Sequence, residues 1–75
     1  MDIKIGDFVL VPDGVLKIVH FEGEKGVGIL IKTPSSPCYN EVHFDVTVPC
    51  RDIQLTITDP SELERLQKII DEACL

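Results

Sequence analysis

The feature that most restricts the fold is a stretch of alternating apolar and polar residues between positions 41 and 58. The apolar positions are Val42, Phe44, Val46 and Val48 in a first run, and Ile53, Leu55 and Ile57 in a second. Successive side chains of a β-strand point to opposite faces of its sheet, so each run predicts a strand with one buried face. Residues 49–52, which begin with a proline, interrupt the alternation. The stretch therefore predicts two strands joined by one tight turn, with Phe44 in the core.

Three more strands are predicted upstream, over residues 8–11, 15–22 and 27–32. The first two are separated by Pro12, Asp13 and Gly14, a combination typical of a tight turn. Residues 23–26 have a glycine at each end and predict a hairpin loop, because glycine readily adopts the positive φ angles of such loops. Gly28 lies inside a predicted strand, which indicates a bulge, a bend or a close approach of two backbones.

The end of the chain has the pattern of an amphipathic helix. Asp59 suits the N-cap, Pro60 the first helical position, and Glu62 the third position after the cap. An apolar stripe at helical spacing then follows, formed by Leu63, Leu66, Ile69, Ile70 and Ala73. We expect one domain, with a β-barrel over residues 1–58 and the helix over residues 59–75.

Two short motifs carry a resemblance to a known superfamily. They are Ile-Gly-Asp-Phe-Val at residues 5–9 and Val-Pro-Cys-Arg-Asp-Ile-Gln-Leu at residues 48–55. The pattern resembles the SH3-like small barrels, in which Tudor and KOW-type domains often begin with a similar Gly-Asp strand and end with a similar 3₁₀-like corner. The resemblance covers residues 3–58 and implies a mainly β fold: a five-stranded SH3-like barrel, here followed by one C-terminal α-helix.

The functions of these families do not carry over to this chain. Tudor-type readers surround a methylated cation with several aromatic side chains. The aromatic residues here are Phe8, Phe21, Tyr39 and Phe44, and the alternation predicts that Phe44 is buried. KOW-type RNA binders are usually basic, whereas this chain has a net charge of −6.

The acidic balance also disfavours nucleic acid as a partner, because a phosphate backbone is bound by clustered lysines and arginines. The basic residues of this chain are scattered among acidic ones. The chain begins without the basic and apolar segments of a signal peptide, and its longest apolar run is too short to span a bilayer. We therefore predict a cytoplasmic protein that does not bind membranes.

The cysteines predict free thiols and not a metal site. Cys38, Cys50 and Cys74 are odd in number and lack the close pairing of zinc ligands. Cys50 and Cys74 are expected to act as small buried apolar residues, and Cys38 as a surface thiol. No cofactor is expected.

Two sets of polar residues have both a chemical and a structural interpretation. Glu41, His43 and Asp45 alternate on one strand, so they could converge on a divalent cation, or His43 could act as an acid or base. The favoured interpretation is the solvated face of a half-exposed strand. His20 shares a predicted face with Leu16 and Ile18 and is interpreted as a structural histidine at a barrel edge.

The helical stripe is the candidate partner-binding surface, together with Tyr39 in the proline-rich loop over residues 34–40. The stripe could dock a partner helix or a second copy of the chain, or it could pack onto the open end of its own barrel. Three functions remain open. The first is a small non-enzymatic interaction or assembly module that forms homo-oligomers. The others are a small oligomeric enzyme or ligand-binding protein with its site between subunits, and an acidic protein that binds nucleic-acid-binding partners.

Overall fold

A computed structural model describes residues 3–32 and 41–74 of the 75-residue chain. The strands are β1 (Phe8–Val11), β2 (Gly14–Glu22), β3 (Lys25–Lys32), β4 (Glu41–Pro49) and β5 (Leu55–Thr56), and α1 (Pro60–Ala73) follows them. The strands form one antiparallel sheet in the order β4-β3-β2-β1-β5. The mainly β class with one C-terminal helix is confirmed. Closure of the sheet into a barrel stays a prediction, as does the SH3-like resemblance.

The interruption at residues 49–52 is a 3₁₀ turn over Cys50–Asp52. It does not form a hairpin, because β4 pairs with β3 whereas β5 pairs with β1 at the other side of the sheet. Pro49 lacks an amide hydrogen and closes β4. The Cys50 amide then donates a 2.9 Å hydrogen bond to the Glu24 carbonyl oxygen. The turn is thereby attached to the hairpin between β2 and β3.

The sheet has an apolar cluster on each face. The first core contains Val9, Val11, Leu16, Ile18, Leu30 and Ile53. The helix core contains Phe8, Val15, Ile31, Leu66 and Ile70. Neighbouring residues of β1, β2 and β3 belong to different clusters, as the alternation of strand side chains requires. These strands are therefore apolar on both faces, and Leu66 and Ile70 of α1 cover one of the faces.

Helix α1 packs across one face of its own sheet. Leu66 and Ile70 are buried against side chains of β1, β2 and β3. A polar contact accompanies this packing, since the Lys17 ammonium donates a 2.6 Å hydrogen bond to Gln67 Oε1. The same ammonium lies 5.5 Å from the centre of the Phe8 ring. The helix thus packs on its own domain, which was one of the two interpretations of its stripe. Its position at the open end of a barrel stays a prediction, as closure of the sheet does.

The helix begins as its sequence predicts. Asp59 is the N-cap, and its Oδ1 accepts hydrogen bonds from the backbone amides of Ser61 at 2.9 Å and Glu62 at 3.4 Å. The Ser61 hydroxyl donates a further bond of 2.8 Å to the same oxygen. Two backbone donors of the first turn, which have no partner within a helix, are satisfied in this way.

Two bulges interrupt the sheet on either side of Gly28. In β2, one extra residue lies between Ile18 and His20, opposite Gly28 and Val27. In β4, an extra residue lies between His43 and Val46, opposite Leu30 and Gly28, and Asp45 there has a φ of 58°. A bulge adds one residue to a strand and so breaks the alternation of its side chains.

The bulges overturn two predictions made from the alternation. Phe44 was expected in the core, but its side chain is 49% exposed. His20 was expected on the face of Leu16 and Ile18, but it follows the β2 bulge, lies opposite Val27 and is exposed.

The expected backbone approach at Gly28 is confirmed. A Cβ atom at this position would overlap the Lys17 carbonyl group of β2. The hairpin before it is tighter than predicted, because β3 begins at Lys25 and only Gly23 and Glu24 connect the strands. Gly23 has a φ of 60°, which glycine adopts without steric cost.

Candidate functional site

The apolar stripe of α1 is occupied by its own sheet. Leu66 is 0% exposed and Ile70 is also buried, while Leu63 and Ile69 are partly buried against the helix core. Ala73 is exposed. Leu66 and Ile70 therefore contact the interior of their own chain, so a partner docking on α1 would meet the margins of the stripe. Tyr39, the other candidate, lies outside the described residues.

The structure brings together only two of the three weak metal-ligand candidates. His43 Nε2 and Glu41 Oε2 are 3.8 Å apart, with both side chains about half exposed. Asp45 belongs to the β4 bulge, which separates it from the regular alternation. Within residues 3–32 and 41–74, no group of three His, Cys, Asp or Glu side chains could hold a metal ion. His20 and Glu22 form a similar exposed pair at 3.8 Å.

The cysteines differ in their surroundings. Cys50 is partly buried and packs against the first core, in agreement with its expected role. Cys74 is exposed at the end of α1, so its predicted burial is wrong. It follows Ala73, which is exposed as well. Cys38 lies outside the described residues.

Large apolar side chains remain on the surface near the two bulges. Val19 in β2 is 48% exposed, and Phe44 in β4 is 49% exposed. We call these two residues the bulge surface. Their strands flank β3 at the level of Gly28, one on each side. Ile5, Phe21 and Leu55 are also exposed. The alternation could not reveal the bulge surface, because it predicts regular strands without an inserted residue.

A cleft of about 540 Å³ lies between the β2–β3 hairpin and the 3₁₀ turn. It is lined by Glu24, Lys25, Pro49, Cys50 and Arg51, and we call it the basic cleft. Its two walls are joined by the pairing of Lys25 with Pro49 and by the hydrogen bond from Cys50 to Glu24. Backbone contacts therefore hold Lys25 and Arg51 at one cleft, although they are far apart in sequence.

A second cleft of about 170 Å³ adjoins the first one at Pro49, which lines both. Its charged lining residues are Asp13, from the β1–β2 turn, and Asp52, from the 3₁₀ turn. Within residues 3–32 and 41–74, no lysine or arginine lines it, and we call it the acidic cleft. Two adjoining clefts thus carry charges of opposite sign. The sequence contains no local signal for this arrangement, since the residues come from three separate turns.

Comparison of this chain with protein-family models, with curated proteins and with solved structures finds no match. Among the described residues, no helix has both the length and the apolar character needed to cross a membrane.

Proposed function

We propose that this chain is a small, non-enzymatic module for protein interaction and assembly, and that it associates with copies of itself. The observation that carries the proposal is the bulge surface. Val19 and Phe44 are each about half exposed, although both belong to long strands of the sheet. Two bulges beside the same glycine place them outside the two cores.

Burial of such side chains favours association. Removing a large apolar side chain from water contributes about 1.5–3 kcal/mol when the whole side chain is buried. Val19 and Phe44 are about half buried already, so each retains part of that contribution for contact with a partner. A domain of this size also has a small core, and oligomerisation is a common means of stabilising such domains.

The net charge limits how strong the association can become. Each copy has a formal charge of −6, so two copies repel each other over long distances. Physiological salt screens charges that are more than about 8 Å apart, whereas apolar contact is unaffected by this screening. We therefore expect a reversible association and not a permanent one.

Sedimentation velocity of the wild-type chain and of a Val19→Ser/Phe44→Ser variant tests the proposal. Leu55→Ser is the matched control, because Leu55 is 49% exposed but lies in β5, at the far side of the sheet. We expect the wild type and the control to self-associate at concentrations up to about 1 mM, and the double variant to associate at least tenfold more weakly. A wild type that stays monomeric throughout this range contradicts self-association. Equal weakening by Leu55→Ser contradicts the assignment to the bulge surface.

A further inference from the structure

We propose that two copies of the chain dock around Pro49, with the basic cleft of each copy facing the acidic cleft of the other. This inference rests on the proposed self-association and names a surface that contributes to it. It is carried by the position of the two clefts, which adjoin at Pro49 and carry opposite charges. The proposed partner is a second copy of this chain.

The charges of the two clefts complement each other. Lys25 and Arg51 outnumber Glu24 in the basic cleft, although the chain has a net charge of −6. The acidic cleft contains Asp13 and Asp52, and its described lining residues include no lysine or arginine. Complementary potentials between surfaces fix their orientation and suppress contacts between like charges.

Two-fold symmetry converts this arrangement into a self-complementary surface. In an isologous dimer, if residue i contacts residue j of the partner, then j contacts i of the partner as well. In the proposed dimer, a two-fold axis near Pro49 places each basic cleft opposite the acidic cleft of the other copy. Every favourable contact of Arg51 with an aspartate of the partner then occurs twice.

The clefts need little rearrangement to act as a docking surface. Lys25 is held by β-pairing with Pro49, and the Cys50 amide is hydrogen-bonded to Glu24. Asp13 lies in the tight turn between β1 and β2, and the acidic cleft is completed by β4 and the 3₁₀ turn. A preformed surface loses less conformational entropy on binding than a mobile one.

Charge reversal on one side of each contact provides the test. In Arg51→Glu, the contact becomes acidic on both sides. In Asp13→Lys, the new lysine faces Arg51 and Lys25 of the partner, and the former acidic cleft, which keeps Asp52, loses its net negative charge. We expect each variant alone to self-associate at least tenfold more weakly than the wild type in sedimentation velocity. An equimolar mixture of the two should form heterodimers, because each variant then meets an opposite charge in its partner. Native mass spectrometry distinguishes the heterodimer by its mass.

Two variants control for net charge. Lys68→Glu makes the same change in net charge as Arg51→Glu, and Glu64→Lys the same change as Asp13→Lys, but both residues are exposed on α1. We expect these controls to associate within about threefold of the wild type. Circular dichroism melting of each variant shows whether it is folded, and the mixture provides a second check, since only folded chains recover association.

The remaining results separate this inference from the proposed function. If the wild type associates and the two cleft variants do so equally well, the docking around Pro49 is wrong and self-association stands. If Arg51→Glu weakens association but Asp13→Lys does not, or if the mixture stays monomeric, the pairing of the basic cleft with the acidic cleft of a second copy is wrong. A monomeric wild type overturns both.

Discussion

Replacing Leu66 with alanine tests how α1 is attached to the domain. Leu66 is 0% exposed and lies in the helix core with Phe8, Val15 and Ile31. The substitution removes most of a buried side chain at the contact between helix and sheet, while alanine remains a good helix former. The change in stability caused by this substitution therefore measures mainly how the helix packs on the sheet. It depends little on the intrinsic helix propensity of the new residue.

The expected loss is a large part of the stability of the domain. Truncation of a buried leucine to alanine costs about 2–5 kcal/mol, depending on how far the cavity collapses. The free energy of unfolding for a chain of this length is about 4–11 kcal/mol at the usual values per residue. A loss of 3 kcal/mol corresponds to a decrease in Tm of about 12–24 °C in a domain of this size. The variant should be folded at low temperature but unfold well below the wild type.

Urea unfolding followed by circular dichroism measures this loss. Glu64→Ala is the matched control, because Glu64 is exposed on the same helix and should change the free energy of unfolding by less than about 0.5 kcal/mol. If Leu66→Ala unfolds with the midpoint of the wild type, the packing of α1 on its own sheet is refuted. If the loss of unfolding free energy depends on protein concentration, Leu66 contacts another copy of the chain. That result is expected if the apolar stripe of α1 binds a partner and not its own sheet.

Two further substitutions test the backbone and the helix cap. Gly28→Ala should lower the free energy of unfolding by more than about 1 kcal/mol, because the new Cβ overlaps the Lys17 carbonyl group and the backbone must shift. An unchanged urea midpoint would contradict this close approach of the two backbones. Hydrogen bonds from the Ser61 hydroxyl and from the backbone amides of Ser61 and Glu62 lower the pKa of Asp59 below its usual 3.8. Because the folded pKa is the lower one, this stabilisation is present above pH 3.8 and is lost as the pH falls through the folded pKa. Asp59→Asn keeps a good cap, so the melting temperature of the variant at neutral pH should be close to that of the wild type. Below about pH 4, the melting temperature of the variant should decrease less than that of the wild type. Identical acid profiles would show that the carboxylate contributes nothing.

The elements that the sequence predicts well are those specified by local interactions. Asp59, Pro60 and the apolar stripe of α1 act within a few residues, and the helix begins at the predicted position. The strand at Phe8–Val11 is likewise bounded by turn residues on both sides. The interruption after Pro49 is also local, because proline removes an amide donor whatever the tertiary structure.

The predictions that fail depend on how strands meet. The sequence around Phe44 and His20 alternates regularly, but a bulge in each strand changes the face on which the side chains lie. The bulges themselves depend on the fit between neighbouring strands. Gly28 indicated an irregularity, but its own position could not show which neighbouring strand receives the extra residue. The two clefts depend on contacts between residues that are still further apart in the sequence, since they bring together residues of three turns.

Edge protection accounts for one of the bulges but not for the other. Native sheets commonly use bulges and prolines to prevent edge strands from pairing with other chains, and β4 is an edge strand with a bulge at Asp45 and a proline at its end. The bulge at Val19, however, lies in β2, the central strand of the sheet, where there is no edge to protect. Sequences that break a local rule often do so at functional positions. The β2 bulge leaves Val19 in solvent, and Phe44 at the β4 bulge is exposed as well. The proposed contact with another molecule would therefore account for both bulges, whereas edge protection accounts only for the one in β4.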